Sequence, residues 1–326
     1  VTRTFAVVLA AGKGTRMQSE QPKVLHHVCG KPMVQHVIDQ LQNMSVERIL
    51  TVVGHKADMI KQQLGSFSEY AFQPEQLGTA HAVKMCQSKL EKQQGSTLIL
   101  TGDTPLITEK TLRYCLDHHQ RTNAAATILT MTPDDPSGYG RIVRNKQNQV
   151  ERIVEHKDAT EEQLQLHEVN SGIFCFDNTL LFQALEKVST DNKQQEYYLP
   201  DVIEILKREG EVISAFPAEH TEECFGINDR TQLNEAAEIC QKRIIDFHQH
   251  RNVTISDPST TLIEAEVTIG PHTNIEPRTS LRGRTQIGAD CTVGPDVDLI
   301  NYKVTDRTHI HHSPIKDDTH AKPYVH

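Results

Sequence analysis

Phe5-Ala6-Val7-Val8-Leu9-Ala10-Ala11-Gly12-Lys13-Gly14-Thr15-Arg16-Met17 joins a run of seven apolar residues directly to two glycines and two cations. An apolar run of this length reads as a strand buried on both faces, and the glycines as the loop that leaves it. It is far short of the roughly 18 residues that suggest a membrane span, and with a single Arg before it and a cationic loop after it, it makes a poor signal peptide. Similar runs recur at Ile49–Val53, Thr97–Thr101, Ala124–Thr130 and Gly172–Phe176. Between them Pro32–Met44 places Met33, Val34, Val37, Ile38, Leu41 and Met44 on one helical face, and Asn178–Val188 and Tyr198–Arg208 show the same stripe. Alternating strands and helices predict an α/β fold: a doubly wound, mostly parallel, Rossmann-like sheet whose ligands lie beyond the carboxyl ends of the strands.

The 326 residues suggest about two domains at roughly 150 residues each. A net charge of -9, from 34 Lys and Arg against 43 Asp and Glu, opposes a polyanionic partner, so nucleic-acid binding is not expected. The seven cysteines are scattered, odd in number and without a CxxC pair, which fits a reducing compartment and a cytoplasmic location. No membrane insertion is expected.

Asp229–Arg251 reads as one long helix, and beyond it the period changes. Ile263, Ile269, Ile275, Leu281, Ile287, Val293 and Leu299 recur every six residues, with Gly or an acid often following. A short antiparallel sheet does not produce that spacing, whereas a parallel β-helix of hexapeptide units does. The expected domains are therefore 1–228, a linker helix at 229–251, and a partial β-helix at 252–326. After Tyr302 the regularity fades, which leaves about two coils. His309-Ile310-His311-His312 has no carboxylate or Cys at ligand spacing, so surface histidines are expected there in preference to a metal cluster.

Chemistry concentrates in the loop after the first strand. Gly12 and Gly14 let backbone N–H groups approach a ligand, and Lys13, Arg16 and Lys23 bring three cations to one place in an acidic protein, as a phosphate chain requires. The dinucleotide fingerprint would need Gly at Met17, and a Walker loop would end in Gly-Lys-Ser/Thr, so neither applies. Asp103 follows the apolar run Leu98-Ile99-Leu100, where a hard divalent ion could sit; its plainer role would be a turn or helix cap.

Leu9-Ala10-Ala11-Gly12-Lys13-Gly14-Thr15-Arg16-Met17 followed by Pro22-Lys23 resembles the sugar-1-phosphate nucleotidyltransferases. The match continues, in order, through Gln76-Leu77-Gly78-Thr79-Ala80-His81-Ala82, Gly102-Asp103-Thr104-Pro105-Leu106, Gly138-Tyr139-Gly140-Arg141-Ile142, Ile153-Val154-Glu155-His156-Lys157-Asp158, Asn170-Ser171-Gly172-Ile173 and Gly226-Ile227-Asn228. Over residues 5 to about 300 the chain is similar to the bacterial bifunctional GlmU family, specifically to its uridyltransferase half.

That resemblance implies transfer of UMP from UTP to N-acetylglucosamine 1-phosphate, with pyrophosphate released, in peptidoglycan and lipopolysaccharide precursor synthesis. It implies Mg²⁺ as cofactor, with Asp103 and Asn228 as its protein ligands, and Arg16 and Lys23 as the catalytic cations. Leu9, Ala10, Gly12, Gly14, Lys23, Gln76, Gly78 and Thr79 would bind the nucleotide; Gly140, Glu155, Asn170 and Asn228 would bind the sugar. The β-helix would be left-handed and join a homotrimer. Because the chain is shorter than the family's solenoid, acetyltransferase activity is expected to be absent. Two departures stand out: Ala80 where Gly usually follows Gly-Thr, and Leu199-Pro200-Asp201 where the family has a Thr-containing tripeptide. Rival readings are a glucose-1-phosphate thymidylyl- or adenylyltransferase and a catalytically idle regulatory subunit; the Gln76 loop, Glu155 and Asn228 oppose the first, and the presence of Arg16, Lys23 and Asp103 opposes the second.

Overall fold

A computed structural model describes residues 3–313. Contacts divide the chain into two units: residues up to His26 with Pro32–Leu233, and His27–Lys31 with the residues from Asn234 onward. In chain order the strands before residue 220 are β1 (Thr4–Ala10), β2 (His27–Val28), β3 (Lys31–Pro32), β4 (Arg48–Val53), β5 (Glu69–Phe72), β6 (Ser96–Thr101), β7 (Ala126–Met131), β8 (Arg141–Arg144), β9 (Val150–Val154), β10 (Val169–Asp177) and β11 (Ile213–Pro217).

The first unit is a mixed α/β fold on one sheet ordered β11-β7-β10-β6-β1-β4-β5, with β8 paired to β10 and β9. β1 is parallel to both β4 and β6, β4 to β5 and β11 to β7, while β10 runs antiparallel to β6 and β7. Because side chains alternate along a strand, β1 feeds two cores. Phe5 and Val7 pack with Leu181, Leu185, Val202 and Leu206 on one face; Ala6, Val8 and Ala10 pack with Val34, Ile38, Leu41 and Leu112 on the other. The helix Met33–Asn43 buries the expected stripe. The expected helix Tyr198–Arg208 begins at Asp201 instead, since Pro200 at its N-cap disfavours helical backbone in the preceding Leu199. β10 extends beyond Gly172–Phe176 and is irregular between Asn170 and Phe174, where Gly172 takes φ +84.

The long helix is Arg230–Gln249, and its first turn, to Leu233, groups with the first unit. The contact division departs from a continuous 1–228 domain at His27–Lys31. There the carbonyl of Cys29 accepts from the Ala265 N–H at 2.9 Å, and its thiol donates to the Ala237 carbonyl at 3.5 Å.

In the second unit the strands are β12 (Thr254–Ile255), β13 (Leu262–Ile263), β14 (Thr268–Ile269), β15 (Asn274–Ile275), β16 (Ser280–Arg282), β17 (Gln286–Ile287), β18 (Thr292–Val293), β19 (Asp298–Ile300), β20 (Lys303–Val304) and β21 (His309–Ile310). They stack as three parallel ladders, β12-β15-β18-β21, β13-β16-β19 and β14-β17-β20. Every rung residue expected from the six-residue spacing is buried, Ile263 through Leu299. The expected fading after Tyr302 is corrected: Val304 pairs with Ile287 and Ile310 with Val293, so the stack continues. One residue fewer separates Leu299 from Val304, which breaks the spacing without breaking the ladder. Earlier, Ile255 pairs with Ile275 across a longer interval. Residues 314–326 of the expected third segment lie outside the described residues.

Among the described residues no helix is long and apolar enough to cross a membrane, and no group of three or more His, Cys, Asp or Glu could hold a metal. His311 Nδ1 instead lies 3.2 Å from the Gly294 carbonyl.

Leu281 is fully buried at the middle rung of its ladder. Leu281→Ala should therefore lower the stability of the second unit by about 2–5 kcal/mol, the usual cost of an unfilled core cavity. Urea unfolding followed by circular dichroism checks this, and a loss below about 0.5 kcal/mol would show that the stack collapses around the gap.

Candidate active site

The loop after β1 is folded by its glycines. Gly14 has φ +61, and a Cβ there would come 2.5 Å from the Lys23 Cβ, so only glycine lets the loop pass Lys23. A Cβ on Gly12 would meet nothing within 4 Å, which leaves that backbone open to a ligand. Met17 is buried and anchors the turn, while Arg16 beside it stays exposed. Leu9 and Ala10 offer backbone only, because their side chains pack into the sheet.

The neighbouring strand supplies the acid. The Gly102 N–H donates to the Leu9 carbonyl at 2.9 Å, tying the end of β6 to the end of β1 and placing Asp103 beside the glycine loop. The Ile227 N–H donates to the Asp103 carbonyl at 2.9 Å and draws in Gly226-Ile227-Asn228. Four expected residues then meet. Lys23 Nζ forms an ion pair with Asp103 Oδ2 and donates to Asn228 Oδ1 at 3.1 Å, and the Arg16 guanidinium donates to the same Asn228 oxygen at 2.9 Å. The side chains of Lys23 and Asp103 are only 17% and 16% exposed, so this pair is shielded compared with an ordinary surface bridge.

The Gln76–Thr79 loop is held by the chain before Pro200. Gly78 has φ +118, and a Cβ there would lie 2.5 Å from the Tyr197 carbonyl oxygen. The Tyr197 N–H donates to the Leu77 carbonyl and the Ala80 N–H to the Tyr197 carbonyl, each at 2.8 Å; Thr79 Oγ1 accepts from the Leu199 N–H at 2.9 Å. Gln76 stands over the end of β4: a Cβ on Gly54 would be 2.7 Å from its amide nitrogen and 3.0 Å from Ala11. The base-reading candidates therefore sit alongside the glycine loop.

Gly140, Glu155 and Asn170 also come together. The Asn170 N–H donates to the Gly140 carbonyl at 2.8 Å, and a Cβ on Gly140 would lie 3.2 Å from Glu155 Oε1. The β10 irregularity turns Asn170 so that its Oδ1 accepts the Gly172 N–H at 2.9 Å. Burial, then Asp201 and Asp158, push the Glu155 carboxyl up to about 7; burial, then Glu204 and Asp158, push Asp201 up to about 6.

Several supporting residues escaped the sequence reading. Arg141 is buried and donates to the Pro136 carbonyl at 2.7 Å, fixing the loop before Gly140. Gln73, also buried, donates to the Gly78 carbonyl at 3.3 Å. Arg141 lies in the motif Gly138-Tyr139-Gly140-Arg141-Ile142, which does not reveal its supporting hydrogen bond, and Gln73 carries no local pattern that marks it. Gln232, whose Oε1 accepts the Asn228 N–H at 2.7 Å, does: Asp229-Arg230-Thr231-Gln232 has the spacing of a helix capping box.

The nucleotidyl transferase family matches residues 5–222. Bifunctional protein GlmU of Geobacillus sp. (strain WCH70) is 52% identical over 331 residues, covering 100% of this chain and 72% of the relative. The chain belongs to the GlmU family of nucleotidyltransferases. Bifunctional protein GlmU from Geobacillus thermodenitrificans (strain NG80-2) and from Listeria monocytogenes serotype 4a (strain HCC23) are 51% and 48% identical with the same coverage. Like its family, this chain is a transferase, an enzyme of UDP-N-acetylglucosamine and cell wall biosynthesis.

The Glu155 carboxyl yields a pH test. Its folded value lies above its ordinary 4.5, so the stability present below pH 4.5, where the group is neutral in both states, is lost as pH rises towards 7. Glu155→Gln should match the wild type in melting temperature near pH 4.5 and gain progressively to pH 7, by at most about 3 kcal/mol. A constant difference across that range would remove desolvation of Glu155 as the cause.

Proposed function

We propose that the junction of Arg16, Lys23, Asp103 and Asn228 carries out the uridylyl transfer by which this chain acts as a UDP-N-acetylglucosamine pyrophosphorylase. The observation that carries the reading is the convergence of two cations, a carboxylate and an amide oxygen from three separate segments beside an open glycine loop. An acceptor phosphate oxygen attacks the α-phosphorus of UTP, the bond from that phosphorus to the bridging oxygen breaks, and pyrophosphate leaves. A sugar phosphate with its second pKa near 6 is already largely ionised at neutral pH, so no side chain has to act as base.

Magnesium fits this donor set. The Lys23 ammonium bridges Asp103 Oδ2 and Asn228 Oδ1, which marks a point where two hard oxygens already face a cation. One carboxylate and one amide suit an ion that keeps waters and takes its other oxygens from phosphates. When bound there, Mg²⁺ would neutralise phosphate charge. Phosphates entering the loop compete for Lys23 and release the Asp103 carboxylate, and Arg16, the exposed cation, meets the leaving pyrophosphate. Gln76, Gly78 and Thr79 read the uracil edge, for which an amide supplies both donor and acceptor. Gly140, Glu155 and Asn170 hold the N-acetylglucosamine. Leu9, Ala10, Gly12 and Gly14 line the phosphate path with backbone.

The three parallel ladders are read as a left-handed β-helix, following 1–228 and the 229–251 linker, within a cytoplasmic homotrimer. Ile300 and Tyr302 remain 45% and 40% exposed on its flank, which is the kind of surface that three-fold packing covers.

Pyrophosphate release across a panel of nucleoside triphosphates and sugar 1-phosphates tests the reading. UTP with N-acetylglucosamine 1-phosphate should be turned over fastest; equal use of dTTP or ATP with glucose 1-phosphate would transfer the assignment to those pyrophosphorylases. Asp103→Ala should lose activity by orders of magnitude. Arg16→Ala should lower kcat more than it raises the KM for UTP, because charge on the leaving group builds in the transition state; a change in KM alone would confine Arg16 to ground-state binding.

A further inference from the structure

Asn228 lies at the entrance to the long helix Arg230–Gln249, and both ends of its amide are committed. Its Nδ2 donates to the Gly226 carbonyl at 3.1 Å, which leaves Oδ1 to face Lys23 and Arg16. That orientation requires the 226–228 backbone to stay in place. On one side the backbone is held by the Ile227 N–H on the Asp103 carbonyl. On the other it is held by Gln232, whose Oε1 accepts the Asn228 N–H at 2.7 Å.

The helix start explains why Gln232 is free for this task. Asp229 caps the helix: its Oδ1 accepts the Gln232 N–H at 2.9 Å. In a standard capping box the side chain three residues on returns to the N–H of the cap residue itself. Here it reaches one residue further back, to the peptide of Asn228. Asp229 thus satisfies the helix end, and the Gln232 side chain acts on the site.

We propose that Gln232 is a positioning residue for uridylyl transfer, holding the Asn228 peptide so that Asn228 Oδ1 stays aimed at the junction with Asp103 and Lys23, and thereby setting divalent-cation affinity. This inference rests on the reading of Asn228 as a metal ligand. Only the acceptor oxygen of Gln232 is required, which separates positioning from mere packing. Gln232→Met keeps length and helix preference but removes the acceptor; Gln232→Glu keeps it.

Binding of Mn²⁺ in the presence of UTP, followed by the electron paramagnetic resonance signal of free Mn²⁺, reads affinity directly, and the Mg²⁺ dependence of pyrophosphate release reads it in turnover. Gln232→Met should weaken Mn²⁺ binding about tenfold, within the 10–100-fold range typical for a residue that orients a ligand, and raise the half-saturating Mg²⁺ similarly. Gln232→Glu should stay within about threefold of wild type, both variants should melt as the wild type does, and Gln232→Met should add nothing in an Asn228→Ala background. Wild-type Mn²⁺ affinity in Gln232→Met, with affinity lost in Asn228→Ala, would overturn the role of Gln232 alone. Equal losses in the Met and Glu variants would also overturn it, since the acceptor would then be irrelevant. Wild-type Mn²⁺ affinity in Asn228→Ala would instead overturn the metal reading beneath it.

Discussion

The ion pair between Lys23 and Asp103 closes a gap that the sheet creates. β1 and β6 are parallel neighbours, so the loops that leave them emerge at the same edge, one carrying cations and the other an acid. Neither loop is regular, and each needs the other. Gly14 brings the first within contact of Lys23, and the Gly102 N–H on the Leu9 carbonyl brings the second to it. Once they meet, Asp103 offers its own carbonyl to Ile227, and the segment ending in Asn228 follows. A cluster that is scattered over more than 200 positions of chain is thereby assembled from one sheet edge.

The same edge gathers the residues proposed to set selectivity. The proposed nucleotide side depends on glycine at position 78, where the backbone of Tyr197 leaves no room for a side chain. The chain that presses there runs directly on through Leu199 and Pro200 to Asp201, whose carboxyl contributes to raising that of Glu155. The residues proposed to read the base and to hold the sugar thus share one connecting segment of five residues. Pro200 is compatible with this because it sits at a helix N-cap, where no N–H is missed. The departure from the family pattern at that position therefore preserves the local fold while removing a hydroxyl from the proposed sugar side.

Net negative charge and the proposed phosphate-binding loop coexist because the cations are local. Arg16 and Lys23 meet at one oxygen, that of Asn228, while on the proposed sugar side burial, then Asp201 and Asp158, raise the Glu155 carboxyl. In the proposed arrangement phosphate is drawn to one region, and a neutral sugar ring with hydroxyl and acetamido groups is compatible with the other.

Local pattern alone carried much of this. The apolar run of β1 and its glycines, the stripe of Met33–Asn43 and the six-residue rungs from Ile263 to Leu299 are short-range periodicities, set by burial on a strand or helix face, and all were legible in the sequence. Arg16, Lys23 and Asp103 were marked by their position in the loops after strands, and Asn228 by the family resemblance. The continuation through Val304 and Ile310 was not, since a ladder is held by neighbours a full coil away and tolerates a missing residue that a spacing count does not. Nor were Arg141, Gln73 and Tyr197, whose parts in the site consist of hydrogen bonds to backbone carbonyls and amides that become neighbours only when distant segments are packed together. Sequence by itself determined which chemical groups were present and which elements would carry them; tertiary structure decided which of those groups face one another, because hydrogen bonds and desolvation act over a few ångströms of space and are indifferent to separation along the chain.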